Sequence, residues 1–324
     1  MPNNLKNFTK VLVVGSGYMA TEYAKVLTGL NIEYEVVGRG VSNCEKMESE
    51  FSVKVHSGGI EHFLSNNILS EYSHIINTVN INFLNETTQS LINAGAEKIL
   101  LEKPGDLNIS GLKKISDLSK MNGAEVLIAY NRRFYSSIEK LKNLVKKDGG
   151  IKSIHFEFTE WIHTIKESDY DKKSLNKWII ANSSHVIDTV FYLIGNPKII
   201  NPNIMGKSKI SWHPSGSIFT GSGISTENIP FTYHANWLSS GRWNIEILTN
   251  RRCFYLKPME ILQNQRIGSI KINKVKINDN IDIKYKPGLY RQTLNFTENN
   301  FKNFCTVEDQ IERIKNIYNK IGNY

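Results

Sequence analysis

The stretch KVLVVGSGYMATEYAKVL, residues 10–27, constrains the fold more than any other part of the chain. Val11 to Val14 form a continuous apolar run that reads as a buried strand. Gly15, Gly17 and Ala20 then turn the chain into a helical pattern with Tyr23, Ala24 and Leu27 on one side. The result is G-x-G-x-x-A in a strand–turn–helix setting. Gly15 permits the tight turn, Gly17 lets the backbone approach a pyrophosphate, and Ala20 is small enough for the helix to pack on the strand. The first N–H groups of that helix, with the positive end of its dipole, then face the anion.

The next hundred residues continue the pattern. EYEVVGR (33–39), SHIINTVN (73–80), KILLEKP (98–104) and EVLIAYNRR (125–133) read as further strands. Leu84 to Ala94 and Ile109 to Met121 read as helices between them. Strands alternating with helices predict an α/β domain over residues 1–130, a Rossmann doubly wound parallel sheet. Ligands of such sheets sit beyond the carboxyl ends of the strands. That edge collects Thr78 and Asn80, Glu102 and Lys103, and Tyr130, Asn131 and Arg132. The second strand ends in Gly38 and Arg39, where an NAD-preferring site places an acid for the ribose 2′-hydroxyl. A carboxylate would repel a 2′-phosphate, whereas Arg offers it a bidentate partner. NADP(H) is therefore favoured and NAD(H) possible; the competing reading is a solvent-facing Arg in a turn.

Composition narrows the class. Hydrophobic residues are 40% of 324, enough for a packed core in about two domains. The formal charge of +9 comes from scattered lysines without interleaved aromatics, which argues against a nucleic-acid partner and for a small anionic substrate. No run approaches the roughly 20 apolar residues of a membrane span. The polar start MPNNLKNFTK leads directly into a strand, leaving no room for a signal peptide. Cys44, Cys253 and Cys305 are far apart and odd in number, with no metal spacing, as expected in a reducing cytoplasm.

After about residue 150 the pattern changes. IKSIHFEFTEWIHTI alternates like one long strand, with Ile154, Phe156, Phe158 and Ile162 on one face and His155, Glu157, Trp161 and His163 on the other. That spacing fits a sheet face better than any metal motif. NSSHVIDTVFYLIG reads as a helix capped by Asn182 or a serine. His185 then falls in the first turn, kept neutral by the dipole and oriented by Asp188. KIINPNIMGKSKI, TYHANWL, RWNIEILTN and RCFYLKP suggest short antiparallel strands, and TVEDQIERIKNIYNKI a terminal helix with Thr306 and Asp309 as a capping box. Residues 131–324 are thus expected to form an α+β domain with a large open, mostly antiparallel sheet that binds substrate and mediates oligomerisation. The predicted assembly is a homodimer or homotetramer, packed through that sheet with Trp161, Trp237 and Trp243 available for burial.

GSGYMA, TVN, EKP, YNRRF and SSHVIDTVFYLIG, in this order over nearly the whole chain, resemble the Gfo/Idh/MocA family of glucose–fructose oxidoreductase and inositol dehydrogenase. The resemblance implies an NAD(P)-dependent dehydrogenase or reductase acting on CH–OH groups of sugars, nucleotide-sugars or amino-sugars. It implies that Lys103 is catalytic, lying between nicotinamide and substrate, with a cis Lys103–Pro104 bond. His185 matches the family's late histidine and is the second catalytic candidate. Gly15, Gly17, Tyr18, Met19, Arg39, Thr78, Asn80, Glu102, Lys103 and Asn131 are the implied cofactor contacts. Tyr130, Arg132, Asn182, His185 and Tyr290 are the implied substrate contacts, Tyr290 being equally readable as a core or rim residue. Glu102 is expected to be an orienting group held ionised by Lys103. Ala181 stands where many members carry Asp, and the family's upstream WR pair is missing. Those departures keep two alternatives open: a non-catalytic cofactor-binding regulator, and an NAD-assisted isomerase or glycosidase.

Overall fold

The computed structural model describes residues 9–324. The stretch read as lacking a signal peptide lies mostly outside the described residues. Two compact units are distinguished: residues up to Tyr130 with Lys284–Ile311, and Asn131–Ile283 with Glu312–Tyr324.

In the first unit β1 (Lys10–Val14), β2 (Glu33–Val37), β3 (Val55–His56), β4 (His74–Asn77), β5 (Lys98–Glu102) and β6 (Glu125–Ala129) form a parallel sheet in the order β6-β5-β4-β1-β2-β3. The order reverses at β1, so the Gly15 turn sits at the topological switch point. The central strands β1, β4 and β5 are buried on both faces, which is why their middles, residues 11–14, 75–76 and 99–101, are continuously apolar. Helices α1 (Tyr18–Gly29), α2 (Val41–Phe51), α3 (Gly59–Asn66), α4 (Leu84–Asn93) and α5 (Ile109–Asn122) connect them. Cys305–Thr306 adds a short antiparallel edge strand against β6. The capping box is reciprocal: Asp309 Oδ2 accepts from the Thr306 N–H at 3.2 Å, and Thr306 Oγ1 from the Asp309 N–H at 3.1 Å.

The second unit carries an eight-stranded sheet. Its strands are β7 (Ser153–Glu157), β8 (Pro197–Met205), β9 (Ile218–Ser225), β10 (Pro230–Asn236), β11 (Asn244–Leu248), β12 (Arg252–Leu256), β13 (Leu262–Arg266) and β14 (Ile272–Lys274). Their order is β14-β13-β12-β11-β7-β10-β9-β8, antiparallel except for the β7–β10 pair. Ile154, Phe156, Phe231, Tyr233, Ile245 and Ile247 bury one face. Phe191, on the helix Ser184–Ile194, meets Phe156 and Phe231 edge-on with ring centroids 6.2 and 5.2 Å apart.

Three expectations need correction. β7 ends at Glu157 instead of running to residue 165; Trp161 turns off and donates to the Gly241 carbonyl at 2.7 Å, and Ile162–Thr164 is a 3₁₀ turn. The helix carrying His185 has no cap at Asn182 or a serine, because a π turn, Ile179–Ser183, leads straight into it with helical dihedrals at Ser183. His185 is therefore inside a continuous helical segment, and the dipole argument for its neutrality lapses. Finally, Trp237 and Trp243 are 1% and 6% exposed, buried within the unit, so only Trp161 of the three remains open.

Candidate functional site

The glycine turn is built as its motif requires. Gly15 has φ +119°, and a side chain there would collide with Thr78 Oγ1, which lies 2.5 Å from the position of its Cβ. Its N–H bonds to the Val37 carbonyl at 2.8 Å, while Thr78 ties to the Val14 carbonyl through both N–H and hydroxyl. Gly17, in contrast, has nothing within 4 Å of a would-be Cβ among the described residues. It precedes α1 without a side-chain cap, so the first N–H groups of the helix are available to an anion. A groove of about 420 Å³ opens beside this turn, lined among others by Ser16, Arg39, Thr78, Asn80 and Phe83. These features fit the pyrophosphate and ribose of a dinucleotide.

Gly38 explains the missing acid. A Cβ there would lie 2.4 Å from Cys44 Sγ and 2.6 Å from Ser16 Oγ, so no side chain is accommodated. The next residue, Arg39, is exposed at the groove with its guanidinium 5.0 Å from the Phe83 ring centroid. Tyr18 is also exposed, with the Lys286 ammonium 5.1 Å above its ring, and Met19 is half-buried.

At the end of β5 the Lys103–Pro104 bond is cis, and the turn closes through the Gly105 N–H to the Glu102 carbonyl at 3.0 Å. Gln310 donates to the Pro104 carbonyl at 3.1 Å and accepts from the Tyr130 hydroxyl at 3.1 Å. Tyr130, 1% exposed, thus braces this turn from the core. Tyr23 places its hydroxyl 3.1 Å from Glu102 Oε1 and 3.2 Å from Gln292 Oε1. Burial lifts the Glu102 carboxyl above its ordinary value, outweighing the Lys103 charge and the Tyr23 hydrogen bond. Tyr290 is half-buried, its ring 5.2 Å from that of Tyr285.

The second unit gathers another group. Asn131 is buried and Arg132 half-buried in the 3₁₀ turn Asn131–Phe134. The Arg132 guanidinium lies 4.8 Å from the Trp243 ring centroid, and the half-buried His185 ring is 6.0 Å from the same indole. Asp188 is bound to two arginines. It is fully buried and held by Arg133 at 2.7 and 2.8 Å and by Arg313 at 2.9 Å. Asn182 reaches back to Glu160, donating to both carboxylate oxygens at 3.2 Å.

Glu160 and Arg242 escaped the sequence reading, which placed Trp243 at an interface between copies of the chain instead of in this group. Burial drives the Glu160 carboxyl up to about 7, although hydrogen bonds from Ser183 and Asn182 and the Arg242 charge pull the other way. The available signal was a carboxylate standing between Phe158 and Ile162 on the otherwise apolar face of the alternating segment.

The first unit, a parallel sheet switching at a glycine turn, has the doubly wound dinucleotide-binding arrangement, and the second carries a mixed open sheet. Several solved structures share this fold. The chain superposes on a dehydrogenase from Clostridium difficile with TM-score 0.77 at 17% identity, covering 98% of this chain and 99% of that one. UDP-N-acetylglucosamine 3-dehydrogenase from Acidithiobacillus ferrooxidans gives 0.72 at 12% identity, covering 94% of each. An oxidoreductase from Agrobacterium radiobacter, solved with NAD+, L-tartaric acid and magnesium, gives 0.76 at 10% identity over 94% and 93%. The family model for pyridine nucleotide-disulphide oxidoreductases matches residues 10–70, the glycine turn and its flanking strands. None of the curated proteins matches the chain.

Proposed function

We propose that the chain is an NAD(P)-dependent oxidoreductase of sugars or nucleotide-sugars, with NADP(H) the favoured cofactor. The observation that carries this reading lies within the first unit. A groove beside the glycine turn and the Lys103 that follows β5 occupy the carboxyl edge of one parallel sheet. Gly15, Gly17 and the start of α1 would hold the pyrophosphate, Arg39 the 2′-phosphate, and Thr78 and Asn80 the neighbouring ribose. When bound, the nicotinamide supplies or accepts the hydride. Lys103 carries the proton of the reacting hydroxyl or steadies the charge that develops on its oxygen. His185, Asn182 and Arg132 hydrogen-bond the sugar. Arg132 and Arg242, both against Trp243, favour an anionic substituent on it. Assembly as a homo-oligomer in the cytoplasm is part of the same proposal.

The test is a panel of sugar phosphates, free aldoses and nucleotide-sugars, scored by absorbance of the reduced nicotinamide. At least one should turn over, and Lys103→Ala should lower kcat by on the order of 10²–10⁴ while dinucleotide affinity survives. Near-normal kcat in that variant would sink the mechanism. Ala181 favours one second reading, a regulator that binds the cofactor without chemistry; NADPH binding with no turnover across the panel would select it.

A further inference from the structure

The Ala181 side chain carries no hydrogen-bonding group, yet the next two residues meet a carboxylate from another element. Glu160 lies three residues past β7 and is 2% exposed. Ser183 donates to its Oε1 at 2.6 Å, Asn182 to both oxygens at 3.2 Å, and Arg242 to Oε2 at 3.3 Å. Two consecutive residues reach one carboxylate because they lie in the π turn Ile179–Ser183. A widened turn reduces the roughly 100° that separates successive side chains of an α-helix. On the other side, Arg242 packs its guanidinium 4.7 Å from the Trp161 centroid and 4.6 Å from that of Trp243. Trp243 is also the indole that Arg132 and His185 approach.

We propose that Glu160 is a positioning residue, whose carboxyl fixes the Asn182 amide and the Arg242 guanidinium and so the sugar-binding face built on Trp243. The inference rests on the substrate reading of Arg132, Asn182 and His185 given above. A carboxylate accepting four hydrogen bonds in a dry pocket orders its donors firmly, whereas a protonated carboxyl must surrender at least one of them. Burial brings this change close to neutrality. The charged or titratable groups around it are Arg242 directly, and Arg132 and His185 across Trp243. The arrangement of the site is therefore expected to change between slightly acid and slightly alkaline solution.

The experiment uses the full chain labelled with ¹⁵N, with the side-chain signals of Asn182 and Arg242 assigned through Asn182→Ala and Arg242→Lys. In the wild type both signals should shift together as pH crosses about 7. In Glu160→Gln they should persist without that titration, since the amide keeps an acceptor but cannot ionise. In Glu160→Ala their hydrogen exchange should accelerate by about tenfold or more. On a sugar that turns over, Glu160→Gln should raise KM about tenfold at alkaline pH, alter kcat less than about threefold, and flatten the pH profile of kcat/KM. A titration of these signals unchanged in Glu160→Gln overturns the proposal, whether or not Glu160→Ala folds. A panel without turnover would count against the oxidoreductase reading alone, because the spectroscopic arm needs no sugar.

Discussion

Arg39 owes its place to a neighbour that has no side chain. Ser16 and Cys44 fill the space over Gly38, so the second strand cannot end in an acid, and the first side chain able to meet the adenosine ribose is a guanidinium. Phe83 supports it from below without neutralising it. Arg39→Ala should therefore weaken NADPH by about 1.5–3 kcal/mol, roughly one to two decades, and leave NADH nearly unchanged. Fluorescence titration of both cofactors into both proteins checks this. Wild type preferring NADH, or NADPH affinity untouched by the substitution, would show the assignment to be wrong.

Among elements, the outer strands of the first sheet carry a buried ionic cluster that the sequence did not advertise. Glu35, in the middle of β2, receives Lys10 from β1 at 2.7 Å, His56 from β3 at 2.6 Å and the Tyr72 hydroxyl at 2.8 Å. Burial alone would raise its carboxyl, but those three hydrogen bonds prevail and hold it at about 2. The folded value lies below the unfolded one, so the contribution is complete above about pH 4.5 and fades as pH falls toward 2. The side chain is only 11% exposed, and the shift corresponds to an upper figure of about 3 kcal/mol. Denaturant melts of wild type and Glu35→Gln should differ by up to that amount at pH 6, and the gap should shrink to under about 1 kcal/mol by pH 2.5. A gap independent of pH would remove Glu35 as its cause. Strand β9 illustrates a different blindness. IFTGSGIS is not among the segments expected as strands, yet its Gly221 and Gly223 pair with Tyr233 and Phe231 of β10. A Cβ at either would lie 2.4 Å from the partner's ring, so the glycines are what the aromatic strand requires.

For the whole molecule, the case for self-association rests on the sheet of the second unit rather than on its tryptophans. The residues facing away from the buried side, among them Thr232, His234, Glu246 and Tyr255, are mostly polar, with Leu248, Ile267 and Ile272 exposed toward the β14 side. Such a face suits a partner that supplies hydrogen bonds as well as apolar cover. Light scattering at micromolar concentration should give at least twice the chain mass of 37.0 kDa. A monomer would rule the assembly out.

Local patterns carried the first sheet, the glycine turn, the E-K-P turn and the Thr306–Asp309 cap, because each is decided by residues within a few positions of one another. A buried parallel strand must be apolar, a turn at φ +119° must be glycine, and a capping box closes over three residues. Tertiary structure alone decided which partner each polar side chain would take. Asp188 went to Arg133 and Arg313, Asn182 to Glu160, and Trp237 and Trp243 into the interior. Those choices depend on desolvation and on competition among groups far apart in the chain, and neither quantity is written in the spacing of residues.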